Sequence, residues 1–79
     1  MVIDNEKDIT IILQIGLEDG GFNVHTFNDP SLPLKSFKPN FYDLVLIDIA
    51  MPDIDGFDLY ERLKKIDPDI KARFLTASE

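Results

Sequence analysis

Leu44, Val45, Leu46 and Ile47 form a continuous apolar run that is closed at once by an acid, Asp48. The run is too short for an ordinary helix and is rich in β-formers, so it reads as a strand buried on both faces. The next residues, Ile49 to Gly56, are punctuated by Pro52 and by Asp55-Gly56, and a helical pattern follows them. A unit of strand, acidic loop and helix belongs to open parallel α/β sheets, whose binding crevices lie beyond the carboxyl ends of the strands. A carboxylate at such a strand tip can cap the next helix, bind a hard cation, or attack phosphorus.

The rest of the chain supplies matching units. Val2-Ile3 followed by Asp4-Asn5-Glu6 reads as the last part of a buried strand ending in an acidic turn. Ile9, Ile12, Leu13, Gly16 and Leu17 then recur at helical spacing, an amphipathic helix with one apolar stripe, and Gly20-Gly21 ends it. Phe22 to Phe27 alternates apolar and polar residues, as a half-exposed edge strand does. Asn28-Asp29-Pro30 starts a short helix over Ser31 to Phe37, weakened by Pro33 and stopped before Pro39. Leu59, Tyr60, Leu63 and Ile66 mark a third helix that ends at Pro68, and Ile70 to Leu75 makes a fourth strand leading into Thr76-Ala77-Ser78-Glu79. Alternating strands and helices with short connections predict an α/β fold with a doubly wound parallel sheet. Right-handed crossovers bring all strand ends to one rim, which collects Asp4, Asn5, Asp48 and Thr76. Two acids brought close together repel unless one protonates or a divalent cation joins them, and magnesium suits carboxylate and carbonyl oxygens.

Several classes are excluded on composition. With 79 residues the chain is one domain, near the size at which a single core only just offsets chain entropy. The net charge of -7 and the scattered Lys and Arg argue against direct nucleic-acid binding. No apolar run approaches a membrane span, acids follow Met1-Val2-Ile3 directly, and cysteine is absent, so the expected setting is cytoplasmic, with neither disulfides nor thiolate metal sites. No P-loop glycine-lysine pattern occurs, and the glycine and acid spacing after Asp48 does not fit an EF-hand. His25, alone on an alternating strand, reads as a surface side chain. Asp58 with Arg62 and Glu61 with Lys65 read as i,i+4 pairs on a solvated helix face.

The spacing D-x-x-M-P-x-x-D-G from Asp48 to Gly56, directly after an apolar strand, resembles the phosphoacceptor loop of response-regulator receiver domains. The resemblance runs the length of the chain and includes Asp4-Asn5-Glu6 and Thr76-Ala77. It implies a flavodoxin-like receiver fold of strand order 2-1-3-4, and a two-component phosphorelay in which a histidine kinase donates phosphate to Asp48. It further implies Mg2+ held by Asp4, Asp48, the Ala50 carbonyl and the residue at Asn5, with the Thr76 hydroxyl on the phosphoryl group. Asn5 stands where the family usually has a second acid, so magnesium binding is expected to be weak. The family continues with a helix, a fifth strand carrying an aromatic and a phosphate-binding lysine, and a last helix. Residues 1-79 are therefore expected to be a receiver domain incomplete at both ends. Such a fragment should take up little phosphate, and it should be partly unfolded or a homodimer. A receiver-derived module that binds a partner without being phosphorylated is the alternative, favoured by Asn5 and the missing lysine. An aspartyl phosphatase ranks last, because Ala50 occupies the place of its second acid; the domain is expected not to be an enzyme beyond its own phosphotransfer.

Overall fold

The computed structural model describes residues 1–52 and 54–75. Seven elements alternate along the chain: β1 (Val2–Ile3), α1 (Lys7–Asp19), β2 (Thr26–Phe27), α2 (Ser31–Ser36), β3 (Leu44–Asp48), α3 (Gly56–Ile66) and β4 (Lys71–Leu75). The four strands form one parallel sheet, as the sequence pattern predicts, in the order β2-β1-β3-β4 that the family resemblance implies. Several capping and turn signals find a physical counterpart. Gly21 adopts φ +94°, its N–H donates to the Glu18 carbonyl and that of Phe22 reaches back to the Leu17 carbonyl. This left-handed closure needs a residue without a Cβ. Asp55 caps α3, its carboxylate accepting from the Asp58 N–H at 2.8 Å. Pro33 is compatible with α2 because it sits in the first turn, where no intrahelical N–H partner exists.

The core lies on one side of the sheet. Met1, Ile3, Val45 and Ile47 point to it, and α3 lays Leu59 and Leu63 over them, with Phe37, Met51 and Ile70 closing the margins. Phe74, from β4, packs half-buried against Phe57 and Tyr60 on the same side. Side chains alternate along a strand, so Val2, Leu44, Leu46, Lys71 and Arg73 belong to the other side. There the coverage is partial, because α1 packs mainly on β1 and β2.

Three sequence expectations are corrected. The central run is buried on one face, with Val45 and Ile47 fully enclosed, but Leu44 is exposed and Leu46 half-buried, because α1 packs mainly on β1 and β2. The inward stripe of α1 is Thr10, Leu13, Gln14 and Leu17, whereas Ile9, Ile12 and Gly16 face outward, Ile12 with 64% of its surface free. The helix is apolar on more than one side, and spacing alone does not say which side meets the sheet. The second strand is Thr26–Phe27 rather than the whole of residues 22–27, since its only neighbour, β1, offers just Val2 and Ile3 to pair with. Among the described residues no helix is long and apolar enough to cross a membrane.

Candidate functional site

The parallel sheet delivers Asp4, just past β1, and Asp48, the last residue of β3, to the same rim, and both are nearly enclosed at 5% and 7% exposure. Each carboxylate is tethered by its own turn. Asp4 Oδ1 accepts from the Glu6 N–H at 2.8 Å, and Asp48 Oδ1 accepts from the Ala50 N–H at 3.0 Å. These bonds consume one oxygen of each acid and leave the other for a ligand. Burial raises the Asp4 pKa, the Glu6 N–H pulls it down, and the negative charge of Asp48, within hydrogen-bonding reach, raises it again. The pair is thus electrostatically frustrated as it stands.

A hard divalent cation fits this donor set: two partly desolvated carboxylate oxygens whose repulsion it would remove. Of the ligands expected from the sequence, the structure brings Asp4 and Asp48 together, leaves Asn5 exposed beside them, and places Ala50 two residues past the acceptor with its N–H already engaged. Thr76 lies outside the described residues. Among the described residues no group of three or more His, Cys, Asp or Glu comes together. The metal reading therefore rests on two carboxylates plus neutral oxygens. His25 is exposed, as expected, with Nδ1 2.8 Å from the Tyr42 hydroxyl, and it belongs to an aromatic cluster with Phe41 at the opposite end of the sheet from the acid pair.

Sequence reasoning missed what holds the rim in place. Gly56 reads as half of a turn dipeptide, yet it is the first residue of α3, and its backbone lies directly against β3. A Cβ there would meet the Asp48 carbonyl oxygen at 2.6 Å and the Ile49 Cα at 2.8 Å. Its N–H donates to the Ile49 carbonyl at 3.2 Å. The glycine lets α3 start against the acceptor strand. Asn28 was read only as a helix-start signal; its amide spans from the end of β2 to the Asp4 carbonyl and to Thr10 of α1.

An open parallel α/β module with a buried pair of carboxylates at its C-terminal rim is the architecture of a phosphoacceptor signalling domain. The comparisons with known proteins agree with that class. The response regulator receiver domain family matches residues 1–79, and the chain belongs to it. The response regulator receiver protein CpdR of Brucella abortus is 32% identical over 76 residues, which are 96% of this chain and 63% of that protein. The response regulator SaeR of Staphylococcus epidermidis is 34% identical over 98% of this chain and 33% of its own length. Among solved structures, the response regulator TrrA of Thermotoga maritima in complex with Mg(2+)-BeF superposes with a TM-score of 0.85 at 34% identity, covering 99% of this chain and 68% of that one. The same regulator in complex with the histidine kinase ThkA matches at TM-score 0.86 and 35% identity, covering 99% and 67%. The chain thus spans under two thirds of the CpdR protein and about a third of SaeR. It carries the receiver fold of two-component signalling.

Proposed function

We propose that this domain accepts a phosphoryl group from a histidine kinase on Asp48, in the cytoplasm, and that Asp4 and Asp48 hold Mg2+ for the transfer with help from Asn5 and the Ala50 carbonyl. The observation that carries the reading is the burial of Asp48 at the strand tip beside Asp4, with one of its oxygens fixed by the Ala50 N–H. In the transfer, the free Asp48 oxygen attacks phosphorus in line and forms an acyl phosphate, while the bond from phosphorus to the donor nitrogen breaks and the histidine leaves. The tether from Ala50 holds the carboxylate plane, so the attacking oxygen is oriented before the donor arrives. Asp4 lends negative charge, which would oppose a phosphoryl group on its own; bound magnesium offsets that charge and that of the equatorial phosphoryl oxygens. The Thr76 hydroxyl is assigned to the phosphoryl group on the strength of the family resemblance. The complex of TrrA with a kinase supports a kinase as donor by analogy.

The test is incubation of the full-length protein with acetyl phosphate and magnesium, followed by intact mass measurement. One added phosphoryl group is expected in the parent and none in Asp48→Asn. Phosphate that persists in the variant, or none in a parent protein shown to bind magnesium, refutes the assignment. The second outcome would favour the non-phosphorylated interaction module, for which Asn5 in place of an acid is the specific observation.

A further inference from the structure

The Asn28 side chain makes two hydrogen bonds that leave no freedom in how its amide is oriented. Nδ2 lies 2.7 Å from the Asp4 carbonyl oxygen, which can only accept. It also lies 3.1 Å from Thr10 Oγ1, whose own hydrogen is directed to the Lys7 carbonyl at 2.8 Å. Both amide hydrogens are therefore donated, one to each, and the network admits no flipped form. Thr10 is almost completely enclosed, so this anchor is rigid. The Asp4 residue is then held at three points: its N–H on the Phe27 carbonyl at 3.1 Å, its carboxylate on the Glu6 N–H, and its carbonyl on Asn28.

We infer that Asn28 is a positioning residue for the metal and phosphoryl site, acting through Asp4; the inference rests on the reading of Asp4 and Asp48 as magnesium ligands. The carbonyl that Asn28 grips belongs to the peptide joining Asp4 to Asn5. Fixing that peptide plane fixes the direction in which the acidic turn leaves β1, and with it both the Asp4 carboxylate and the adjacent Asn5. Without the grip the plane can rotate, and the Asp4 oxygen left for the cation loses its defined distance from Asp48. Partners of this kind, which orient a ligand without touching the ion, characteristically change metal affinity by about 10- to 100-fold when removed. Aspartate has the same shape but no hydrogens to donate, and it would set a carboxylate against a carbonyl.

That last point gives a test with opposed signs. Mn2+ binding to the full-length protein is followed by electron paramagnetic resonance of the free ion, for the parent, Asn28→Asp and Asn28→Ala, with circular dichroism melts in EDTA alongside. If Asn28 acted only through charge, the aspartate would add a third acid near the cation and tighten binding. As a positioning residue it predicts the reverse: both variants bind about tenfold more weakly, in spite of the added charge in one. Tighter binding by Asn28→Asp, or unchanged affinity in both variants with a lowered melting temperature, overturns the inference and leaves Asn28 a plain tether between β2 and α1. A parent protein that binds no Mn2+ sinks the underlying metal reading instead. Should neither variant fold, Thr10→Val removes the second anchor of the amide while sparing its bond to Asp4; a loss of about threefold is then expected, and an unchanged affinity counts against the role.

Discussion

Gly56→Ala should destabilise the protein, although general rules for a glycine in a helix predict the opposite. Gly56 is the first residue of α3, and its φ is not in the left-handed region, so alanine could adopt its backbone without strain. On propensity alone the change would stabilise by about 0.5–1 kcal/mol. The obstacle is space. The new methyl would lie 2.6 Å from the Asp48 carbonyl oxygen, 2.8 Å from the Ile49 Cα and 3.0 Å from the Asp48 carbonyl carbon. The closest of these is about 1 Å short of the ~3.5 Å at which such atoms attract. All three are backbone atoms of the acceptor strand and loop, and none can swing aside as the end of a long side chain could. Relief requires the start of α3 to move off β3, against the packing of Leu59 and Leu63. Overpacking of this kind costs about 1–3 kcal/mol, and rigid backbone on every side puts the site near the top of that range. Subtracting the propensity gain leaves a net loss of about 2 kcal/mol, or roughly 8–16 °C in Tm for a domain of this size.

Gly16→Ala supplies the control. Gly16 lies in the interior of α1, and nothing comes within 4 Å of a Cβ built there. The same substitution should therefore raise stability by about 0.5–1 kcal/mol. Thermal melts of the two variants at matched concentration decide the matter, since the methyl meets strand backbone in one and open space in the other. If Gly56→Ala melts with or above the parent protein, or if both variants shift in the same direction, the claim that α3 needs a glycine to approach the acceptor strand is wrong.

Asp67 should be worth more than an ordinary helix-end acid: it is 3% exposed, and its two oxygens accept from the Asn40 and Asp69 N–H groups at 2.9 and 3.1 Å, holding Asn40 in its left-handed conformation. Asp67→Ala orphans both donors and should cost about 2–3 kcal/mol in a denaturant titration, with less than 0.5 kcal/mol contradicting the clamp. Asn5→Asp should tighten magnesium binding by supplying a charged oxygen, and a titration showing unchanged or weaker binding would mean the acidic turn does not face the ion. Asp4 has its pKa raised on folding, so the folded state binds more protons and metal-free stability falls as pH rises from the ordinary value of 3.8 through the higher folded one. Asp4→Asn, whose amide can keep the Glu6 bond and donate to Asp48, should thus raise Tm in EDTA at pH 7 and lose that advantage below pH 3.8; an advantage independent of pH would remove the charge explanation. Ile9, Ile11, Ile12 and Ile15 are all exposed along α1, so the isolated 79 residues should associate, and a monomeric mass by light scattering at every concentration would refute this.

The parallel sheet was legible because the first three strands are short and each is followed by a helix, while its order came with the family resemblance. What was not legible was coverage. The isoleucines of α1 carry helical periodicity whether they meet the sheet or solvent, so Ile9 and Ile12 share the predicted stripe with Leu13 and Leu17 although they face outward and Thr10 takes the packed side. Likewise the Leu44 to Ile47 run contained no mark distinguishing Val45 and Ile47, enclosed in the core under α3, from Leu44, which is exposed. Periodicity reports the shape of an element, and burial depends on what lies beside it.

The site divides along a similar line. Asp4 and Asp48 were readable because the spacing from Asp48 to Gly56 resembles a phosphoacceptor loop, and two strands of one parallel sheet must end at the same rim. The residues that support them were not readable, since their roles are fixed by contacts between distant segments: Asn28 reaches Asp4 across 24 residues, and Gly56 is required by the backbone of residues 48 and 49 on the far side of a loop. A polar residue near a helix start has a local explanation available, the cap, and that explanation hides the longer-range one. In this chain both can be seen at once: Asp29 performs the local duty, its carboxylate accepting from the Ser31 N–H and hydroxyl at 2.9 Å, and this leaves the neighbouring Asn28 amide free for the acidic turn. Two adjacent residues of similar type thus divide the work, one starting α2 and the other fixing the carboxylate next to the acceptor.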